Sequence, residues 1–95
     1  MYSVGELTTI VRGVVSNYPV TKAILVGSYA RNVPTANSDV DIVLDGDDLS
    51  EAYWDILFAL EDRLNVPVDL LTMHGLNGSI LKRSVLEGGV TLYEA

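Results

Sequence analysis

Cysteine is absent, which removes disulfides, thiolate catalysis and thiolate metal sites and suits a reducing compartment. Basic residues are scarce: six Lys and Arg stand against thirteen Asp and Glu, a formal charge of −7. Such a surface repels a phosphate backbone, so direct nucleic acid binding is not expected. No apolar run approaches the roughly 20 residues that span a bilayer. The opening MYSVGELTTIVRGVV also lacks a basic start followed by an unbroken apolar core. These absences lead to the expectation of a cytoplasmic protein without membrane contact. A length of 95 residues leads to the expectation of a single domain over 1–95. A chain this short buries only about 60–65% of the surface its unfolded form exposes, so a partner chain would add stability.

What is present is 48% hydrophobic and patterned. Ser3 with Glu6 forms a capping box, and Val4, Leu7, Ile10, Val11, Val14, Val15 and Tyr18 follow on one helical face. The spacing predicts a first helix from Ser3 to Asn17, ended by Tyr18-Pro19. Ala23 to Val26 reads as a short buried strand that stops at Gly27. Ser28 to Ser38, SYARNVPTANS, is polar and aperiodic, a turn with a short helix and loop. Asp39 to Asp45 alternates strictly, with Asp39 and Asp41 on one strand face and Val40, Ile42 and Leu44 on the other. Asp48 and Glu51 read as a second capping box ahead of a helix carrying Leu49, Ala52, Tyr53, Ile56, Leu57, Leu60 and Leu64, which ends near Asn65. Pro67 to Thr72 is a third strand, Leu76 to Glu87 a further helix closed by Gly88-Gly89, and Val90 to Tyr93 a last strand. Strands alternating with helices predict an α/β fold, a small mixed β-sheet covered by helices.

Aspartate is a poor strand former, so Asp39 and Asp41 at alternate positions of an apolar strand need compensation. On one face the two carboxylates repel by roughly one to a few kcal/mol, and a divalent cation reverses that sign. Mg²⁺ prefers one or two carboxylates plus substrate phosphates. Asp69, between Val68 and Leu70, is a third candidate if its strand lies alongside. Gly27-Ser28 directly follows a strand, where glycine allows a tight turn and close approach to an anion and the serine hydroxyl donates to phosphate. Arg31, one helical turn on, adds a fixed positive charge. Each element alone is weak, and a solvated strand face is the plainer reading of a lone Asp-x-Asp. The ordered set in so short a chain is strong.

With Gly27-Ser28-Tyr29-Ala30-Arg31, then Ser38-Asp39-Val40-Asp41, then Val68-Asp69-Leu70, the sequence resembles the DNA polymerase β-like nucleotidyltransferase superfamily. Within it, the chain resembles the minimal nucleotidyltransferases (MNT) that act as antitoxins beside HEPN-domain toxins. The closing Glu87-Gly88-Gly89-Val90-Thr91-Leu92-Tyr93-Glu94 is similar to the family's C-terminal end. Asn32 stands where the family usually carries glycine, and asparagine tolerates left-handed backbone better than most residues. The resemblance implies a polymerase β-like core in which Asp39 and Asp41 hold Mg²⁺ against the phosphates of ATP. It further implies that Asp69 completes the metal site and helps deprotonate the attacking hydroxyl, and that Gly27, Ser28 and Arg31 bind the nucleotide. The implied reaction is transfer of AMP to a tyrosine of a HEPN ribonuclease toxin, neutralising it. Two other readings stay open: an antitoxin that only binds and occludes its toxin, and a nucleotidyltransferase acting on a small hydroxylated molecule.

Other residues carry weaker signals. His74 is the only histidine, and its plainer reading is a loop or helix-start residue rather than an acid–base group. Trp54 and Phe58 fall together on the helix face opposite Leu49, Ile56 and Leu60, either packed beneath a neighbouring element or anchoring a partner. Nine of the thirteen acids lie between Asp39 and Asp62 with no base among them. That run is ordinarily a solvated face, and it also suits steering of a basic partner such as the toxin. Tyr29 and Tyr53 read as packing residues before they read as self-modification sites.

Overall fold

A computed structural model describes residues 2–31, 39–77 and 82–95. Its strands form one mixed sheet in the order β3-β2-β1-β4, with β1 (Val20–Val26), β2 (Val40–Gly46), β3 (Val68–Thr72) and β4 (Val90–Glu94). β1 runs antiparallel to both β2 and β4, and β2 runs parallel to β3. A parallel pair needs a crossover, supplied here by α3 (Tyr53–Leu64).

α1 (Val4–Val15) starts as its sequence predicts: Ser3 Oγ accepts from the Glu6 amide at 3.1 Å and Glu6 Oε1 accepts from the Ser3 amide at 3.0 Å. It ends two residues before Asn17, because the amides of Asn17 and Tyr18 turn back to Val14 and Val15 in tight i→i−3 bonds. β1 correspondingly starts at Val20 rather than Ala23. Its first residues are held by β2, Val20 opposite Gly46 and, past a register shift, Lys22 opposite Asp45, while Lys22 also lies opposite Glu94 of β4.

The expected Asp48–Glu51 capping box does not form. Asp48 takes a left-handed φ of 42° and its carboxylate accepts from Ser50 Oγ at 2.6 Å. The buried Leu49 closes a turn by accepting from the Tyr53 amide at 2.8 Å. α3 therefore starts at Tyr53 behind Ala52, which gives no side-chain cap. It stops at Asn65 (φ 56°, ψ 33°), where asparagine tolerates the left-handed region.

The single helix expected over 76–87 is also corrected. Thr72 Oγ1 accepts from the Gly75 amide at 3.1 Å and starts the short α4 (Met73–Leu76) earlier than the apolar spacing indicates. Asn77 ends it with an extended ψ of 129°. α5 (Lys82–Leu86) follows after residues 78–81, which lie outside the described residues. Gly88, at φ 74°, turns the chain into β4.

The main core joins one face of the sheet to α1 and α3, with Leu7, Val11, Val15, Leu25, Ile42, Leu44, Ile56, Leu60 and Leu64 essentially fully buried. Expectation and structure differ on the other face. Val26, Val43 and Leu76 form a second cluster there with Ile24, Leu71, Met73 and Leu86 packed on it, so Val43 is buried between Asp41 and Asp45. The free edge of β3 is shielded by α3: Val68 N–H donates to Glu61 Oε2 at 3.2 Å, and Tyr53 Oη donates to the Leu70 carbonyl at 2.6 Å. Among the described residues no helix is long and apolar enough to cross a membrane.

Candidate active site

The C-terminal end of β1 and the N-terminal ends of β2 and β3 meet at one corner of the sheet. There Asp41 lies opposite Val26 in the antiparallel pair and opposite Asp69 in the parallel pair. Neighbouring strands are about 4.8 Å apart and directly opposed side chains share a face, so two carboxylates stand side by side. Asp39 lies one residue before β2, not within it as the alternation predicts, and two residues from Asp41 it keeps the same facing. Asp39 and Asp69 are exposed and Asp41 is half-buried beside the apolar patch of Val26 and Val43.

The electrostatics follow from that placement. The Asp41 carboxyl is held above its ordinary range, first because burial disfavours the ion and then because Asp69 and Asp39 face it with like charge. Among the described residues the ion pair is Lys22 with Glu94, at 3.5 Å and far from the aspartates. Also among the described residues, no group of three acidic or histidine side chains is arranged around a single metal position. A Mg²⁺ site of two carboxylates completed by substrate phosphates asks for less. Paired hard oxygen donors with uncompensated like charge fit that smaller site.

Gly27 follows β1 with φ 74°, and a Cβ there would collide with Asp41 Oδ2 and stand 3.2 Å from Asp41 Cγ. Close approach to an anion is thus a real demand on this glycine, and the anion is the chain's own Asp41. The turn α2 (Gly27–Ala30) is anchored by Tyr29, which is buried in the main core. The Arg31 amide closes the turn on the Gly27 carbonyl at 3.2 Å. Ser28, half-buried, and Arg31, exposed, share this corner with the aspartates. Ser38 and Asn32 lie outside the described residues.

His74 is exposed at the far, C-terminal end of β3, so it is not brought to the three aspartates. It lines a groove of about 660 Å³ that also takes in Asp45, Asp48, Tyr53, Trp54 and Thr72 and includes none of Asp39, Asp41 or Asp69. Sequence reasoning singled out Trp54 and not this groove, whose walls come from three separate elements. Trp54 and Phe58 are 59% and 60% exposed, so among the described residues nothing buries them. Tyr53 and Tyr29 have the packing roles expected of them.

Residues 7–91 match the profile of the nucleotidyltransferase domain family. The chain belongs to this family. A protein of Methanocaldococcus jannaschii named "Putative protein adenylyltransferase MJ1379" is 34% identical over 74 residues, covering 74% of each chain. The nucleotidyltransferase fold recurs in a crystal structure of a toxin–antitoxin with AMP-PNP, at a TM-score of 0.71 and 22% identity over 99% of this chain and 75% of that one. It recurs again in a tri-AMPylated Shewanella oneidensis HEPN toxin in complex with MNT antitoxin, at a TM-score of 0.62 and 21% identity over 97% of this chain and 70% of that one. The mixed four-stranded sheet of this nucleotidyltransferase is thus the one those proteins share.

Proposed function

We propose that this nucleotidyltransferase is an antitoxin that transfers AMP from ATP to a tyrosine hydroxyl of a HEPN-domain toxin and so neutralises it. The observation that carries the reading is the meeting of Asp41, Asp69 and Asp39 beside the Gly27 turn. The protein adenylyltransferase relative and the complexes with AMP-PNP and with an AMPylated toxin support the choice of nucleotide and of acceptor.

The acceptor oxygen attacks the α-phosphorus, the bond to the bridging oxygen breaks, and pyrophosphate leaves. Asp39 and Asp41 would hold Mg²⁺, with Asp69 alongside, and the ion would supply stabilisation of charge on the entering and leaving oxygens. Asp69, exposed at the mouth of the site, receives the proton of the attacking hydroxyl. Ser28 donates its hydroxyl to the departing phosphates, and Arg31 adds positive charge at the same corner. Gly27 leaves the Asp41 carboxylate its room. AMP adds bulk and negative charge to the toxin, which suits inhibition of a protein that must attract RNA.

The test is the intact mass of the HEPN partner after incubation with this chain, ATP and Mg²⁺. One or more added AMP units, lost with Asp39→Ala and Asp41→Ala, are expected. A stable complex without mass change would instead make the chain an occluding antitoxin.

A further inference from the structure

Three surface features lie outside the reaction corner and adjoin one another. The first is an aromatic ridge on α3. Trp54 and Phe58 are one helical turn apart, their ring centroids 6.0 Å from each other, and both are more than half exposed. They are the large apolar side chains that the described residues leave to solvent. Tyr53 meets the Trp54 ring edge-on at 5.1 Å, which holds the indole on the helix surface. The second is a border of acids: Glu51, Asp55 and Asp62 are exposed and stand at i±3 or i±4 positions to the two aromatics. The third is the groove of about 660 Å³ lined by Trp54, Thr72 and His74 together with Asp45 and Asp48. No base occurs in sequence between Asp39 and Asp62, and the one that the sheet brings opposite Asp45, Lys22, is ion-paired with Glu94 at 3.5 Å.

We infer that the ridge and groove form the docking surface for the protein acceptor, and that the acceptor meets it with a basic patch flanked by apolar side chains. An arginine or lysine stem fits the groove beside Trp54, with its charged head against Asp45 and Asp48 and within cation–π reach of the indole. The apolar neighbours of that residue cover Trp54 and Phe58, as aromatic anchors are covered at interface centres. Charge complementarity selects this occupant: a second copy of this chain, at −7, would repel itself here. The surface also lies in reach of the reaction. Asp45 stands four residues along β2 from Asp41, about 13 Å, a separation that a protein acceptor gripped at the groove is broad enough to span. The inference rests on the reading that the acceptor is a protein.

Trp54 is the sole tryptophan, so 5-fluorotryptophan labelling gives one ¹⁹F resonance from the ridge itself. On titration with the HEPN-domain protein that resonance is expected to shift and lose its solvent sensitivity. By calorimetry, Trp54→Ala with Phe58→Ala is expected to weaken binding at least tenfold. Asp45→Asn with Asp48→Asn, which preserves the local hydrogen-bond acceptors, is expected to weaken it severalfold and flatten its salt dependence. In the transfer assay both pairs raise the acceptor KM and leave kcat at saturation unchanged, with circular dichroism reporting the fold. An unshifted resonance in the saturated complex, an unchanged Kd, or no complex with the unaltered chain overturns the inference. Failure of the underlying reading looks different: the complex forms through Trp54 and no AMP is transferred. Asp41→Asn separates the two further, since it is expected to abolish transfer and leave the Kd alone.

Discussion

Replacing Gly27 by alanine imposes two separable costs. Gly27 and Gly88 share a φ of 74°, and an L-residue in the left-handed region costs about 1–2 kcal/mol at either place. Around Gly88 a new Cβ meets nothing within 4 Å, whereas at Gly27 it runs into the Asp41 carboxylate. Pushing that carboxylate out of its rotamer adds about 0.5–1.5 kcal/mol. Urea unfolding followed by circular dichroism is therefore expected to show a loss of about 1–2 kcal/mol for Gly88→Ala and about 1.5–3.5 kcal/mol for Gly27→Ala. In an Asp41→Ala background the collision disappears, because only the Asp41 Cβ remains, at an ordinary 3.5 Å. The Gly27→Ala penalty should then drop to that of Gly88→Ala, a coupling of roughly 1 kcal/mol. Equal penalties in the two backgrounds would refute the claim that Gly27 is required by Asp41. Gly27→Ala should also lose nucleotidyl transfer while folded, and Gly88→Ala should keep it.

Three further outcomes follow from the same contacts. Because the Asp41 pKa is raised, the folded chain binds more protons than the unfolded one, so stability falls as pH climbs from the ordinary aspartate range through the raised value. Asp69→Asn removes the nearest like charge and is expected to stabilise the protein at pH 7 in EDTA by a few tenths to about 1 kcal/mol after solvent screening. That gain should vanish below pH ~4, as denaturation at the two pH values will show. Tyr53→Phe removes the hydrogen bond to the Leu70 carbonyl and should cost about 0.5–1.5 kcal/mol, with faster amide exchange along the β3 edge. Mg²⁺ with a non-hydrolysable ATP analogue at 100 times its Kd should stabilise the chain by about 2.7 kcal/mol in thermal shift, and Asp41→Asn should abolish the rise.

Much of the sheet is readable from local signals. Asp39 to Asp45 announces β2 by its alternation, and the parallel neighbour carrying Asp69 follows from a strand–helix–strand order. The second apolar cluster is hidden behind the alternation of the aspartates, though Ile42-Val43-Leu44 and Leu70-Leu71 carry its mark: consecutive apolar residues on strands covered on both faces. Asp48 misled because a carboxylate three residues before Glu51 looks like a cap, and only tertiary context commits it to Ser50. The start at Met73 was hidden because Thr72 supplies the cap from inside a strand. At the site, the approach of Gly27 to Asp41 needs the β1–β2 register, which pairs Val26 with Asp41 and which no local spacing contains. The groove is less accessible still, since β2, α3 and the β3–α4 junction meet there only after folding.

The most direct measurement uses ATP labelled separately at the α- and γ-phosphates, with the HEPN partner, Mg²⁺ and either the unaltered chain or Asp41→Asn. Nucleotidyl transfer predicts α-label fixed on the partner, γ-label released in pyrophosphate, and neither event with Asp41→Asn. Label from the γ-phosphate on the partner, or α-label transferred undiminished by Asp41→Asn, would contradict the role given to the aspartates at the β2–β3 corner.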